Sequence, residues 1–467
     1  MFVVRRMNLN LDGPLYELVS RGNKDVYFQE DSTDAQFLFD NRYGPTAPVI
    51  HELRRLPPLN SVEFGRSSEF QLEVAGDFIV SPTLIIDLPS WLPPNYVAAN
   101  GKGVVQDSDG VSYGYTNGIG YFLFEKIQVL QDNILLQEFS GDSLWIQGRA
   151  RGSLNSAFLE DALLGVHNGS ALSIGRNATP GRLRLPLPLI GCQGLEEGGF
   201  PSLCLPNQQY KVKVWLRKLE DLVEASDGRE KPAPWGSTLR VQTERDGGFT
   251  SFTALDRLLV GAPTIYLETR HVYTNDETRA ALRASSLDIP FERIYENIFS
   301  QNPQDYAAAS PFLTRILDAT HPCSRIILAF RSWADLRANR LWKLQSDSAT
   351  GDYYSGLKLL IAGRDRTQFW SPLVWNSLDN YVKEERDSGM RLATINFGFG
   401  EKKGVRAPTY NRQYDGTINF STADKPTLFM QLTDIVNGPK RSELRVIVET
   451  WAVFSVSDAR GGLKFGN

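Results

Sequence analysis

The sequence has few residues that form disulfides or bind metals. It holds three cysteines, Cys192, Cys204 and Cys323, and four histidines among 467 residues. The cysteines are odd in number and include no Cys-x-x-Cys pair, which argues against a disulfide framework and a structural zinc site. A bridge between Cys192 and Cys204 remains an alternative, but the reducing cytosol in which we expect the chain to fold disfavours it. We therefore predict no bound metal and no cofactor.

Long apolar runs and a basic tail are also absent. No apolar run approaches the length of a transmembrane helix, and residues 1–4 precede Arg5 and Arg6, the reverse of the order in a secretory signal. The 50 basic and 54 acidic residues are spread along the chain and give a net charge of −4. Without a basic segment to neutralise phosphates, we expect no specific binding of nucleic acid.

The common catalytic motifs are missing. The sequence contains no Gly-x-Ser-x-Gly, His-Glu-x-x-His or Gly-x-x-x-x-Gly-Lys-Ser/Thr motif, so hydrolase, metalloprotease and P-loop activities lack their minimum parts. The Gly-rich segment 398–404 has the wrong spacing for a phosphate loop and is typical of a surface loop. The adjacent carboxylates of Asp276 and Glu277 are better explained by helix capping than by a paired acid site. His321 and Cys323 lack a third ligand nearby and indicate a strand entry with a buried thiol. The sequence therefore predicts no catalytic, cofactor-binding or metal-binding residues and a protein that is not an enzyme.

Two long alternating segments are the strongest positive signal. In residues 210–216, apolar side chains alternate with lysines, which predicts a strand with one buried face and one mostly solvent-exposed face. Residues 443–454 repeat the pattern with extra apolar residues, which predicts that both faces of that strand are partly covered. Because each segment closes a strand-rich half, we expect two similar β domains in tandem, each a sandwich or a jelly roll.

Turn and breaker residues divide the chain further. Residues 1–60 end in Pro57 and Pro58 and suit an N-terminal arm, and residues 225–236 have the Pro, Gly and charge content of a linker. Asp132 and Asn133 indicate a tight hairpin turn. Thr274 and Glu277 match a capping box that begins a helix through Arg283. Further strands are predicted at 264–273, 325–330, 357–363, 392–397 and 416–420, and a short helix at 157–164.

Several ordered segments resemble one viral protein family. Residues 13–28, Gly-Pro-Leu-Tyr-Glu-Leu-Val-Ser-Arg-Gly-Asn-Lys-Asp-Val-Tyr-Phe, resemble the N-terminal signature of the major capsid proteins of nucleocytoplasmic large DNA viruses. Residues 266–279, Tyr-Leu-Glu-Thr-Arg-His-Val-Tyr-Thr-Asn-Asp-Glu-Thr-Arg, look like the junction that opens the second jelly roll of that family. His321-Pro322, residues 415–421, Trp451-Ala452 and residues 461–465 are similar to its later motifs, and they occur in the same order.

The resemblance implies an all-β fold, a tandem double jelly roll of two eight-stranded β-sandwich barrels with short helices in loops. It divides the chain into an arm (1–60), a first jelly roll (61–224), a linker (225–262) and a second jelly roll (263–467). It implies a structural major capsid protein that forms homotrimers, which are pseudo-hexagonal capsomers tiling an icosahedral shell. The expected location is the virion, after assembly in the host cytoplasm. Expected partners are other copies of the chain, minor capsid proteins under the shell and a nearby internal membrane. Residues 153–179, 332–354 and 398–413 are candidate outer loops.

Two other functions are compatible with the sequence. One is a minor or vertex capsid paralogue with the same double jelly roll. The other is a sugar-binding protein or enzyme built on tandem barrels, for which Trp333, Trp342, Trp370 and Trp375 could supply an aromatic platform. We expect most of these tryptophans to be core or subunit-contact anchors instead. Asn168, Asn177 and Asn419 fit the glycosylation pattern, but in a cytosolic protein such matches arise mostly by chance.

Overall fold

The computed structural model describes thirteen stretches of the chain, and their strands and helices belong to one unit, Val49–Asn467. The predicted arm signature at 13–28, most of the predicted helix at 157–164 and the predicted loop at 398–413 lie outside the described residues. The stretches are residues 49–73, 75–93, 104–151, 163–192, 199–242, 248–301, 312–344, 353–378, 392–397, 416–421, 425–432, 442–457 and 459–465.

Strands dominate the described residues. The strands of the first half are β1 (Ile50–Leu56), β2 (Ser67–Leu72), β3 (Phe78–Asp87), β4 (Val104–Gln106), β5 (Tyr113–Tyr115), β6 (Phe124–Gln131), β7 (Ile134–Phe139), β8 (Leu183–Pro186), β9 (Tyr210–Leu216), β10 (Val223–Ala225), β11 (Thr238–Gln242), β12 (Phe249–Thr253) and β13 (Thr264–Tyr273). Those of the second half are β14 (Leu287–Gln301), β15 (Phe312–Ile316), β16 (Pro322–Ser332), β17 (Tyr354–Ile361), β18 (Arg364–Asp365), β19 (Ala393–Asn396), β20 (Ile418–Asn419), β21 (Thr427–Leu432), β22 (Ser442–Ser457) and β23 (Arg460–Leu463).

The helices are short and lie in connections between strands. The α-helices are α1 (Ile119–Phe122), α2 (Gly141–Arg151), α3 (Ala171–Arg176), α4 (Asp276–Ala284) and α5 (Trp333–Arg337). Single 3₁₀ turns occupy Ser202–Cys204, Leu219–Asp221 and Arg257–Leu259, and a π-helical turn occupies Val374–Leu378.

Sixteen of the strands form two β-sandwiches with the same strand order. In the first sandwich, which we call the first roll, the sheets run β1-β13-β3-β8 and β2-β9-β6-β7. In the second roll they run β14-β22-β16-β19, with β20 and β23 attached, and β15-β21-β17-β18. When the eight main strands of each roll are numbered in chain order, both rolls have the same two sheets. One sheet has the order first-eighth-third-sixth, and the other has the order second-seventh-fourth-fifth. This is jelly-roll topology, so the predicted fold class, two jelly rolls in tandem, is confirmed.

The strand that closes the first roll differs from the predicted one. Tyr210–Leu216 is its seventh strand, and the eighth is β13, which pairs with β1 on one side and β3 on the other. The predicted boundary at 263 therefore places β13 in the wrong roll, and the predicted arm contains β1. We propose that the first roll begins at Ile50 and ends at Tyr273. The sequence could not reveal this pairing, because the two neighbours of β13 lie far from it along the chain.

The predicted linker contains paired strands. Within 225–262, β11 pairs with β12 and with β4, and β10 begins just before and pairs with β5. β10, β11 and β12 belong to a long insertion between the seventh and eighth strands of the first roll, and their partners β4 and β5 lie between its third and fourth strands. The Pro and Gly residues that suggest a linker mark turns of this insertion, including Gly228 and Gly236, whose φ angles of 72° and 64° suit glycine.

The alternation of apolar and polar residues correctly predicts which side chains of these strands lie in the core. Tyr210, Val212, Val214 and Leu216 are buried while Lys211 and Lys213 are partly exposed. Along β22, Leu444, Val446 and Val448 lie in the core of the second roll, whereas Ile447 belongs to the core that fills the first roll. The prediction that both faces of this strand are covered is confirmed.

Local turn and helix predictions are mostly confirmed. Asp132 and Asn133, with φ of 45° and 72°, form the two-residue turn between β6 and β7. Helix α4 occupies the predicted place, but its N-cap is Asn275, whose side chain accepts a hydrogen bond from the Thr278 amide at 3.1 Å. The predicted cap, Thr274, instead donates its hydroxyl to Asp77 Oδ2 at 2.8 Å. The capping box is thus wrong by one residue, since a distant carboxylate holds Thr274.

Candidate functional site

The residues weighed for chemistry are scattered and structural. Asp276 and Glu277 lie in the first turn of α4, where they compensate the helix dipole. Cys192, Cys204 and Cys323 have free thiols, and burial raises the pKa of Cys192 to about 12, which makes its thiolate scarce at neutral pH. Among the described residues, no group of three metal-ligating side chains comes together. In the same residues, no helix combines the length and apolar character needed to span a membrane.

The conformation and contacts of His321 are those of a residue that stabilises a turn, not those of a metal ligand. Its φ of 75° is left-handed, and its amide donates to Ser421 Oγ at 2.9 Å. Its Nδ1 lies 2.8 Å from Thr320 Oγ1 and 3.0 Å from Tyr295 Oη. Burial lowers the pKa of His321, although the Phe465 carbonyl opposes the shift, so the imidazole is neutral at pH 7. The ring joins β14, the start of β16 and the C-terminal segment.

The contact between the two rolls is centred on α2. This helix follows β7, the fifth strand of the first roll, and begins at Gly141. A side chain at Gly141 would place its Cβ 1.9 Å from the Tyr121 carbonyl oxygen, so the close approach requires glycine here. From this position α2 directs Asp142 and Gln147 at the outer face of the first sheet of the second roll.

Asp142 is the centre of a buried charge cluster that spans both rolls. Arg331 Nη2 donates to Asp142 Oδ1 at 2.7 Å, and Arg445 Nη1 lies 3.3 Å from Oδ2. Arg217, from the first roll, contacts the same Oδ2. Arg445 continues to Glu443 at 2.6 Å and to Glu296 at 2.5 Å. Three arginines and three carboxylates thus balance, which a buried cluster needs if its desolvation is to be offset.

The electrostatics of the cluster strongly favour the ionised carboxylate. Burial alone would raise the pKa of Asp142, but the charges of Arg445, Arg217 and Arg331 outweigh it and hold this pKa far below its usual range. Burial would also lower the pKa of Arg445, yet Asp142, Glu296 and Glu443 raise it overall. Asp142 is therefore ionised at neutral pH.

A second buried pair lies one turn further along α2. Arg325 donates to both carboxylate oxygens of Glu449, at 2.9 and 3.0 Å, and Gln147 from α2 donates to Glu449 Oε1 at 2.7 Å. All three side chains are buried. Such bidentate, charge-assisted contacts fix geometry as well as energy, so α2 is held against the second roll in one register.

Apolar side chains complete this interface. Phe291, Ile327, Ala329, Ile447 and Phe454, all from the second roll, belong to the core cluster that fills the first roll. Phe454 lies 6.1 Å from Phe200, ring centre to ring centre. Further along, the Gly461 amide donates to Gln208 Oε1 at 2.7 Å, which ties β23 to the first roll. The first sheet of the second roll is thus buried on both faces.

A second bridge joins the rolls through the predicted outer loop 332–354. The stretch Trp333 to Leu344 of this loop packs on the insertion of the first roll, whereas Tyr353 and Tyr354 belong to the core of the second roll. Asn339 Nδ2 donates to the carbonyls of Glu220 and Val223, each at 2.7 Å, and Trp342 Nε1 donates to Glu224 Oε2 at 2.9 Å. Glu224 is fully buried, and His167 Nε2 lies 3.2 Å from its other oxygen.

We expect Trp342→Phe to weaken this bridge measurably. Phenylalanine keeps most of the apolar contact but removes the indole donor, so the buried Glu224 carboxylate loses its shortest hydrogen bond. The expected loss of unfolding free energy is about 1–3 kcal/mol, measured by urea titration. Lys343→Ala, the partly exposed neighbour, serves as the control and should leave the midpoint unchanged. A Trp342→Phe midpoint equal to wild type would contradict the assigned role of this hydrogen bond.

An open cleft of about 750 Å³ remains beside the interface. Its first-roll wall includes Lys126, Glu138 and Trp215 from the second sheet, and its second-roll wall is β14 with Arg293 and Tyr295. Side chains of both charge signs line it. The cleft separates the outer face of the second sheet of the first roll from β14, the first strand of the second roll.

The other sequence candidates have structural explanations. Trp375 is buried and packs on Trp370 with ring centres 4.9 Å apart in the second roll, whereas Trp342 contacts the first-roll insertion, so these three do not share one binding cleft. Asn177 is buried and donates its side-chain amide to the Tyr115 carbonyl at 2.8 Å, which leaves it unsuited to glycosylation. Asn168 and Asn419 are exposed.

Asp142 and its arginines are functional residues that the sequence motifs do not single out. Asp142 follows a strand and begins a helix, a position where an acidic residue is ordinary, and Arg331 and Arg445 lie within apolar strands about two and three hundred residues away. The one available signal was the presence of arginine inside strongly apolar strands, because buried arginine requires a partner.

Comparison with known proteins identifies the fold. No family model and no curated protein sequence matches the chain. Among solved structures, PBCV-1 VP54, fitted into a reconstruction of the virophage Sputnik, aligns with a TM-score of 0.66 at 14% identity, covering 92% of this chain and 100% of that one. The Faustovirus major capsid protein aligns with a TM-score of 0.61 at 12% identity, covering 94% and 95%. A structure of the Sputnik virophage aligns with a TM-score of 0.51 at 11% identity, covering 100% and 94%. The chain therefore has the fold of these capsid proteins along nearly its whole length.

Proposed function

We propose that this chain is a major capsid protein of a large double-stranded DNA virus, with a structural rather than a catalytic role. The observation that carries the proposal is the pair of jelly rolls with one strand order, fused through a buried interface into a single block. Three copies of such a block present six similar barrels around a closed threefold axis. The solved structures of this fold, named as capsid proteins of PBCV-1 and Faustovirus, support the same role.

The interface chemistry supports a building-block role. A structural unit of a shell has to keep its two barrels in a constant relative position, because neighbouring contacts depend on it. The charge cluster at Asp142, the hydrogen bond from Gln147 to the Arg325–Glu449 pair and the bridge at Asn339 each join the two rolls. A protein whose two barrels opened around a ligand would be expected to have a less heavily bonded interface.

The decisive experiment measures the mass and outline of the purified protein. Light scattering should give three times the 52.3 kDa mass of one chain, and electron microscopy should reveal particles with a pseudo-hexagonal face. A chain that stays monomeric at all concentrations, or trimers without that outline, would refute the proposal. A trimer present in few copies per virion would instead identify a minor or vertex capsid protein.

The finer assignments belong to the same proposal. In the virion, the chain would contact other copies of itself and minor capsid proteins under the shell, close to an internal membrane, after assembly in the host cytoplasm. Cross-linking of intact particles followed by mass spectrometry tests the partners. Cross-links confined to copies of this chain would count against the minor capsid partners alone.

A further inference from the structure

The turn that precedes α3 contains an Asn-Gly pair, Asn168-Gly169. In such a pair the glycine nitrogen can attack the side-chain carbonyl carbon of the asparagine, because glycine has no side chain to hinder the approach. Asn168 is exposed, and Gly169 has a left-handed φ of 75°. Asn168 is therefore a candidate for covalent modification, and the groups around it determine whether it reacts.

A histidine accepts a hydrogen bond from the nitrogen that would attack. The Gly169 amide donates to His167 Nδ1 at 3.1 Å. A ring nitrogen that accepts a hydrogen bond carries no proton, so Nδ1 is the basic nitrogen of this imidazole and Nε2 bears the hydrogen. The His167 side chain is only 8% exposed, so little water competes for Nδ1. His167 is thus positioned as a general base on the reacting N–H group.

A buried carboxylate favours this form of the imidazole. Glu224 Oε1 lies 3.2 Å from His167 Nε2, the ring nitrogen that does not contact Gly169. Glu224 is 0% exposed, and its other oxygen accepts a hydrogen bond from Trp342 Nε1 at 2.9 Å. The carboxylate therefore keeps the proton of the neutral ring on Nε2, and it stabilises the imidazolium that forms when Nδ1 takes up a second proton.

Two donors contact the oxygen that would become negatively charged. Asn168 Oδ1 accepts hydrogen bonds from the Ser170 amide at 3.0 Å and from the Ser173 hydroxyl at 2.5 Å. Attack on Asn168 Cγ turns this oxygen into an oxyanion, and donors that already point at it stabilise the new charge. The hydrogen bond to Ser170 also folds the Asn168 side chain back toward the backbone that carries the Gly169 nitrogen. A base, a nucleophile and oxyanion donors therefore surround one side-chain amide.

We propose that Asn168 is a site of self-catalysed modification, at which the chain converts its own asparagine into a succinimide and then into aspartate or isoaspartate. As the Gly169 nitrogen bonds to Asn168 Cγ, its proton passes to His167 Nδ1. The bond from Cγ to Nδ2 then breaks, and Nδ2 takes the proton back from His167 and leaves as ammonia. Water reaches the exposed ring and hydrolyses one of its two C–N bonds. The sequence of steps needs no oxidant or reductant.

The chain contains a matched control, Asn117-Gly118. Gly118 also has a left-handed φ, 72°, so backbone conformation does not distinguish the two pairs. Asn117, however, is only 4% exposed, and the Gly118 amide donates to the Gly165 carbonyl at 3.1 Å. A carbonyl oxygen is too weak a base to take up an amide proton. We therefore expect Asn117 to stay unmodified in the folded protein.

Incubation of the purified full chain for several weeks at neutral pH tests the proposal, with both pairs followed by mass spectrometry of tryptic peptides. Asn168 should show the mass gain that accompanies replacement of an amide by a carboxylate, while Asn117 stays unchanged. In urea the two pairs should react at similar rates, and Asn168 should react more slowly than in the folded protein, because unfolding removes the base. A folded Asn168 that reacts no faster than Asn117, or no faster than in urea, would overturn the proposal.

Two variants test the residues assigned to the reaction. His167→Gln should slow the modification roughly 100-fold, the low end of what a positioned general base contributes. Ser173→Ala removes one oxyanion donor and should slow it by roughly the same factor. His51→Gln, at an exposed histidine of β1, is the control and should react at the wild-type rate. Circular dichroism verifies folding. A wild-type rate in His167→Gln would refute the proposal, and if that variant does not fold, a wild-type rate in Ser173→Ala would refute it.

Discussion

Asp142→Asn should destabilise the protein by about 3–5 kcal/mol, far more than the removal of an exposed charge would. The substitution keeps the shape of the side chain but removes the charge shared by Arg217, Arg331 and Arg445. Arg331 is 1% exposed and cannot regain water, so its charge stays buried without full compensation. Urea unfolding at neutral pH measures the loss.

The pH dependence of the same variant provides a second test. The folded-state pKa of Asp142 lies below its unfolded value, which is about 3.9. The contribution of Asp142 is therefore fully present above about pH 4 and is lost as the pH falls further toward the folded-state pKa. We expect wild type to lose this stability below about pH 4, whereas Asp142→Asn should lack that part of the acid response.

Asp87→Asn is the matched control for Asp142→Asn. Asp87 is likewise paired with arginine, accepting two hydrogen bonds from Arg182 at 3.0 and 2.9 Å, but the pair is exposed. Solvent screens such a pair, so its removal should leave the unfolding midpoint almost unchanged. Equal effects of the two substitutions would contradict the view that burial, rather than pairing alone, gives Asp142 its importance.

Phe454→Ala should cost a similar amount, about 3–5 kcal/mol, because it empties a fully buried ring site. Phe454 lies on β22 of the second roll, yet its ring packs against Phe200 and against Gly461, where an added Cβ would lie 2.4 Å from the ring. We therefore expect the substitution to loosen the first roll. Hydrogen exchange should increase in Tyr210–Leu216, whose Tyr210 ring lies 4.8 Å from Phe200.

Phe465→Ala is the control for Phe454→Ala. The Phe465 side chain is 59% exposed, so its removal empties no cavity and should leave both stability and exchange unchanged. If Phe454→Ala increased exchange only in the second sheet of the second roll, the shared core would be refuted. An increase in the first roll would support a core that the two rolls share.

The elements predicted correctly are those that depend on neighbours along the chain. Alternation is a local property with a period of two residues, and it correctly located β9 and β22, while the turn residues Asp132 and Asn133 located the hairpin. The turn chemistry of Asn275 and Thr274 was predicted to within one residue. Each of these features is encoded within a few consecutive residues.

Strand partners and buried charges depend on residues far apart in sequence. The assignment of β13 to the first roll is determined by pairing with β1 and β3, about two hundred residues earlier, and no local pattern distinguishes that pairing from others. The cluster at Asp142 likewise combines charges from both rolls. A long insertion after Leu216 separates β13 from the rest of its roll, which is why the predicted boundary fell one strand too early.

The sequence by itself therefore determined the fold class, through alternating strands in two halves, and the family resemblance, through motifs in a constant order. Only the tertiary structure decided how the halves join. That interface consists of desolvated charge pairs and packed rings whose partners are brought together by folding, so the chain alone cannot show which of its residues meet.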